Sequence, residues 1–209
     1  MNLNNANKTQ KNSPTPEAGM QLGIITQVVG LGLQPQRPFQ GQEKPPARMV
    51  RITYELPNDT HDFGGELKPL VLAEEMPFSG NEKSKLYRRV TGIDPALAQS
   101  KGDLAWFVGK PVMVNIVHKA GAGKNTGRVF ANIQTVTPVP RGYPVPQASF
   151  NPAFIYDPYN HDEELFQKLP DFLKTTILSR LDGGNNAATT TQRTTDTVTT
   201  APVTDDEPW

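Results

Sequence analysis

Between residues 109 and 140, cations, amides and one aromatic ring recur at alternate positions of two short runs. These are GKPVMVNIVHK and RVFANIQTVTPVP, joined by the segment AGAGKNTG. The alternation predicts a β-hairpin with a basic tip. Val112, Val114 and Ile116 then share one face with Val129, Ala131 and Ile133, and that face can close a core. Met113, Asn115, Val117 and Lys119 share the other with Arg128, Phe130, Asn132 and Gln134. This second face has the chemistry that unpaired nucleic acid needs: cations for phosphates and a ring for a base, with each stacked base worth about 1 to 3 kcal/mol. Lys124 at the tip and Arg51 in RMVRITYEL are further candidate phosphate contacts, with Arg88 and Arg89 behind them. A merely solvated polar sheet face is the plainer account of the same pattern.

A second candidate site is the end of the sequence, Asp205, Asp206, Glu207, Pro208 and Trp209. Three carboxylates before a proline and an indole form an anionic peptide with an aromatic anchor, suited to a pocket with an apolar floor and a cationic rim. The preceding polar stretch serves as its tether.

Other chemistry finds little support. AGAGKNTG imitates a phosphate-binding loop, but that motif requires Gly where His118 stands and Ser or Thr where Asn125 stands, and it joins a strand to a helix. His61, His118 and His161 lack ligand spacing, and cysteine is absent. Glu74-Glu75 and Asp162-Glu163-Glu164 read as solvated strand ends and helix starts. No metal, cofactor or catalytic group is therefore expected. A metal-dependent nuclease ranks last among the functions considered, below a protein-interaction adaptor that binds DNA incidentally.

Four segments are expected. Residues 1–19 and 182–209 are polar and poor in aliphatics, the composition of disordered arms. Residues 20–140 hold the β-rich domain, and 141–181 form a proline-rich extension ending in short helices. The formal net charge of zero over 209 residues conceals a polarity. Residues 20–155 carry 15 Lys and Arg against 10 Asp and Glu, whereas 182–209 carry 1 against 5. A basic body with an acidic tail suits a polyanion binder. No run of 18 apolar residues and no signal-peptide core is present, so a cytoplasmic protein without a membrane span is expected.

The body reads as strands in GIITQVVGLG, RMVRITYEL and ELKPLVLAEEMPF, the third an edge strand or interrupted because of its prolines. A helix capped by Ser79 or Asn81 follows, burying Leu86 and Val90, then a short helical segment and the hairpin. Three strands, a helix and two strands match the order of the five-stranded OB-fold barrel, with its helix between strands three and four. An SH3-like barrel or a split α+β sandwich also fits. Beyond the hairpin, a proline-rich segment is expected to lie against the body, and HDEELFQKLPDFLKTTILSRL to form two helices broken at Pro170.

The runs GKPVMVNIVHK, GRVFANIQTVTPVPRG, NPAFIYD and LFQKLPDFLKTTILSR, with EKSKLYRRV upstream, resemble phage-encoded single-stranded DNA-binding proteins of the OB-fold type. The likeness spans about residues 20 to 181, and Asn115, His118, Lys119, Phe130, Asn132 and Ile133 fall on its motif positions. The acidic end is similar to the tips with which such proteins recruit replication and repair enzymes. The resemblance implies a non-enzymatic protein that coats and protects single-stranded DNA during phage replication, recombination and repair. Its partners would be single-stranded DNA, phage or host replication proteins and possible further copies of itself. The tip AGAGKNTGR is longer than the tight turn the family leads one to expect.

Overall fold

A computed structural model describes residues 14–38 and 41–183. The chain is mainly β. Its strands are β1 (Gly19–Gln34), β2 (Ala47–Asp62), β3 (Leu67–Pro77), β4 (Pro111–Ala120), β5 (Val129–Pro138) and the short β6 (Phe154–Tyr156). Three α-helices accompany them: α1 (Lys85–Ile93), α2 (Glu163–Lys168) and α3 (Asp171–Leu178).

The sheet runs β3-β2-β1-β4-β5, each neighbouring pair antiparallel, with β6 added parallel to β1. β1 organises it. Its first part, Gly19–Ile24, pairs with β4, and Gln27–Val29 pair with β6 along the edge that β4 has left. Register shifts lie between Ile25 and Gln27 and between Gly30 and Gly32. Gly32 sits at φ +74, where a side chain is disfavoured, so the second irregularity falls where the backbone tolerates it. Such irregularities bend a strand and let it serve two neighbours in succession.

The bent sheet has a core on each side. On the inner side Ile25, Val28, Ile52, Tyr54, Val112 and Val114 pack with Leu86 and Val90 of α1 and with Phe107. On the outer side Val29, Leu31 and Tyr156 pack with Phe166, Leu169, Leu173 and Ile177 from the two C-terminal helices. Adjacent residues Val28 and Val29 thus serve opposite cores, as the strand period requires. The helices break at Leu169–Pro170 because proline cannot continue the backbone ladder of α2, and α3 starts from it instead.

The helix cap differs from the sequence expectation. Ser84 caps α1, its Oγ accepting from the Tyr87 N–H at 3.1 Å. Ser79 and Asn81 accept backbone N–H groups within the preceding turn, and that turn delays the helix by several residues. The segment after α1 forms two 3-10 turns, Pro95–Leu97 and Leu104–Phe107.

The sheet is open: among the described residues, β3 and β5 share no ladder. A buried ion network spans the gap. Arg89, 7% exposed, holds the Glu74 carboxylate of β3 through Nε and Nη2 at 2.6 and 3.0 Å. The same guanidinium donates to the Gln134 and Ile133 carbonyls of β5 at 3.0 and 2.8 Å. Tyr54 donates to Glu74 at 3.1 Å, and Lys85 approaches it at 2.7 Å. Burial, then the Glu74 charge, holds the Tyr54 hydroxyl well above its usual range, so it remains a donor. Glu74 is a buried structural carboxylate, not a solvated strand end, and Arg89 is not available to a phosphate.

Asp94 fixes the turn that returns the chain from α1 towards β4. Its carboxylate accepts from the Gln99 and Ser100 N–H groups, at 3.0 and 2.7 Å, beside Ala96, Leu97 and Lys101 in left-handed conformations. Burial opposes its ionised form, but hydrogen bonds from Ser100, Gln99 and Ala98 outweigh that and hold the carboxyl below its usual range. A depressed folded value means stability that is present above the unfolded carboxyl range and lost as pH falls through the folded one. In urea melts, the stability gap between the wild type and Asp94→Asn is expected to narrow as pH falls below the ordinary carboxyl range. A constant gap would contradict this role.

Candidate nucleic-acid interface

The β4–β5 ladder decides which hairpin side chains meet. Lys119 pairs with Phe130, Val117 with Asn132, and Ile116 with Ile133; an irregularity at Gln134 precedes the Asn115–Thr135 pair. Directly paired residues share a face. Lys119, Phe130, Val117, Asn132, Asn115 and Thr135 therefore lie together on the outer face, with Ala131 and Ile133 packed against the inner core. Phe130 is 41% exposed although it is large and apolar. Val129 departs from the expected core role: it pairs with Ala120 near the tip and is exposed.

Amides hold this face in order. Asn115 Nδ2 donates to Gln134 Oε1 at 3.0 Å, and Asn132 Nδ2 to the Phe130 carbonyl at 3.1 Å. At the tip, Gly121 N–H donates to the Arg128 carbonyl and Arg128 N–H to the Asn125 carbonyl, enclosing a 3-10 turn at Gly123–Asn125 that includes Lys124. Any side chain on Gly121 would collide with the Asn125 backbone, so this compact tip requires glycine there. Arg128 is exposed at the start of β5.

Other candidates lie elsewhere. Arg51 sits on the outer face of β2, ion-paired with Glu75 at 2.8 Å and with its guanidinium 5.2 Å from the Phe172 ring centroid. It does not join the hairpin residues. His118 Nε2 donates to the Pro16 carbonyl at 2.7 Å and so fastens the segment leading into β1. Arg88 is exposed on α1. The tail residues Asp205, Asp206, Glu207, Pro208 and Trp209 lie outside the described residues.

Met20 of β1 also belongs to the outer face. It pairs with Asn115 and is 55% exposed, extending the Asn115–Thr135 row onto a third strand. The alternation of Met20, Leu22 and Ile24 carries β1 that far, beyond the strand expected at GIITQVVGLG. A second feature not expected from the sequence is a cavity of about 330 Å³ at the far end of β1, bordered by Phe78, Ile155 and Tyr159. The Arg48 guanidinium lies 4.5 Å from the Tyr159 ring centroid. Asp103 and Asp157 share that lining and make it a poor seat for a phosphate.

Among the described residues no group of three or more His, Cys, Asp and Glu side chains is placed to hold a metal ion, and no helix is long and apolar enough to cross a membrane. Compared with protein-family models, with curated proteins and with solved structures, the chain matches none.

Proposed function

We propose that the chain is a sequence-independent single-stranded DNA-binding protein, coating and protecting unwound DNA in phage replication, recombination and repair. The observation that carries this is the outer face of the hairpin, where Lys119 and Phe130 are directly paired and exposed beside amides and the basic tip. Phosphate contacts and base stacking carry little sequence information, which accounts for the independence of sequence. No step of chemistry is required of any residue.

An OB fold is the finer architectural reading. Its support is the meander β1-β2-β3, the placement of β4 on the other edge of β1, α1 between the third and fourth strands, and the Arg89 bridge where a barrel would close. The end of the chain, Asp205 to Trp209, is read as the recruiter of replication proteins in the host cytoplasm. The apolar cavity with acidic rim groups favours a second reading as an adaptor that binds protein segments, which predicts partner capture insensitive to nuclease.

A gel shift with labelled oligo-dT, oligo-U and duplex separates these readings. The DNA-coating reading predicts a shifted oligo-dT and a duplex that stays free. Equal shifts for duplex and single strand would overturn it.

A further inference from the structure

The open face has a second end. Toward the hairpin tip it is bounded by Lys119 and Phe130; in the other direction it reaches the Met20–Asn115–Thr135 row. In the next row Leu22 and Met113 are 1% and 7% exposed, so the face closes there. At this boundary lies a cleft of about 430 Å³ lined by Met20, Leu22, Glu17, Asp59 and Tyr143. Tyr143 is 39% exposed. It is presented by a turn, Pro140 to Tyr143, with Gly142 at φ +78 and the Tyr143 N–H donating to the Pro140 carbonyl at 3.2 Å. Arg141, in the same turn, is exposed. This second end thus carries a ring, Tyr143, with the exposed cation Arg141 two residues before it in the same turn.

We infer that Arg141 and Tyr143 form the far end of the single-strand path, with Tyr143 stacking a base and Arg141 holding a phosphate, so that the strand crosses β5, β4 and the start of β1. This rests on the DNA-binding reading above. The two ends are four residues apart along β4, from Lys119 to Asn115, or about 13 Å at about 3.3 Å per residue. The cleft fixes the orientation. Asp59 Oδ2 accepts from the Glu17 N–H at 2.9 Å and from Gln21 Nε2 at 3.4 Å, and the two carboxylates repel a phosphate. The base therefore turns inward over Met20 and Tyr143, and the phosphate outward to Arg141.

The test uses the full chain and an oligo-dT of about 16 nucleotides. Tyr143→Ala is expected to weaken binding about 5- to 150-fold, whereas Tyr143→Phe, which keeps the ring, stays near wild type. Arg141→Gln is expected to lower the slope of log affinity against log salt by about 1. Bromodeoxyuridine-substituted DNA, irradiated with the wild-type protein, should give a covalent adduct at Tyr143, a readout that remains valid if Tyr143→Ala folds poorly. If Tyr143→Ala binds like wild type or adducts are confined to the hairpin, while Phe130→Ala loses affinity, the inference is overturned and the DNA-binding reading stands. If none of these variants changes affinity, both are overturned.

Discussion

Replacing Arg89 with alanine is expected to cost about 3 to 5 kcal/mol of stability, the range for breaking a buried ion pair by removing one partner. The cost has two sources. Glu74, 8% exposed, loses its bidentate partner and keeps only Lys85 and the Tyr54 hydroxyl. The part-buried Ile133 and Gln134 carbonyls of β5 also lose this donor, a smaller cost than the about 1 to 3 kcal/mol of a fully buried unsatisfied group. Equilibrium urea unfolding followed by far-ultraviolet circular dichroism measures the loss. Arg89→Lys should fall between the two, since a single ammonium cannot reproduce the four contacts of the planar guanidinium. Arg89→Met with Glu74→Leu should recover only part of the loss. Apolar replacement removes the stranded charge but supplies no donor to the β5 carbonyls. Full recovery would mean that the carbonyl bridge contributes nothing to holding β5 against β3.

The second large effect separates the faces of one strand. Phe130→Ala is expected to weaken single-stranded DNA binding by about 1 to 3 kcal/mol, the worth of one stacked base, with little change in stability. Ile133→Ala, three residues along and packed on the inner core, is expected to cost about 2 to 3 kcal/mol of stability, the lower part of the range for truncating a core isoleucine. Its binding should be retained at temperatures where it stays folded. Parallel melts and titrations check both. Equal loss of stability in the two variants would mean that Phe130 is a packing residue.

Alternation and turn chemistry made much of this fold readable. The hairpin, its two faces apart from Val129, the helix burying Leu86 and Val90 and the break at Pro170 all follow from local periodicity. What was not readable depends on contacts distant in sequence. Glu74 looks like any strand carboxylate until β3 and α1 place it against Arg89, 15 residues on, whose guanidinium also reaches the Ile133 and Gln134 carbonyls of β5. Arg51 looked free for a phosphate, but its neighbours are Glu75 on the adjacent strand and Phe172 from the C-terminal helix. The short β6 could not be seen, because FIY carries no period of its own and is a strand only through the stretch of β1 edge that β4 leaves. The same holds for Tyr143, which lines one cleft with Met20 although the two lie far apart in sequence.

In the proposed complex, unpaired DNA lies on the open, ring-bearing and cationic outer face of β4 and β5. The most direct test is a fluorescence anisotropy titration of labelled oligo-dT, with excess unlabelled duplex present, across a series of salt concentrations. Binding is expected to survive the duplex and to weaken steadily with salt, as counterion release requires. Binding abolished by the duplex, or indifferent to salt, would contradict it.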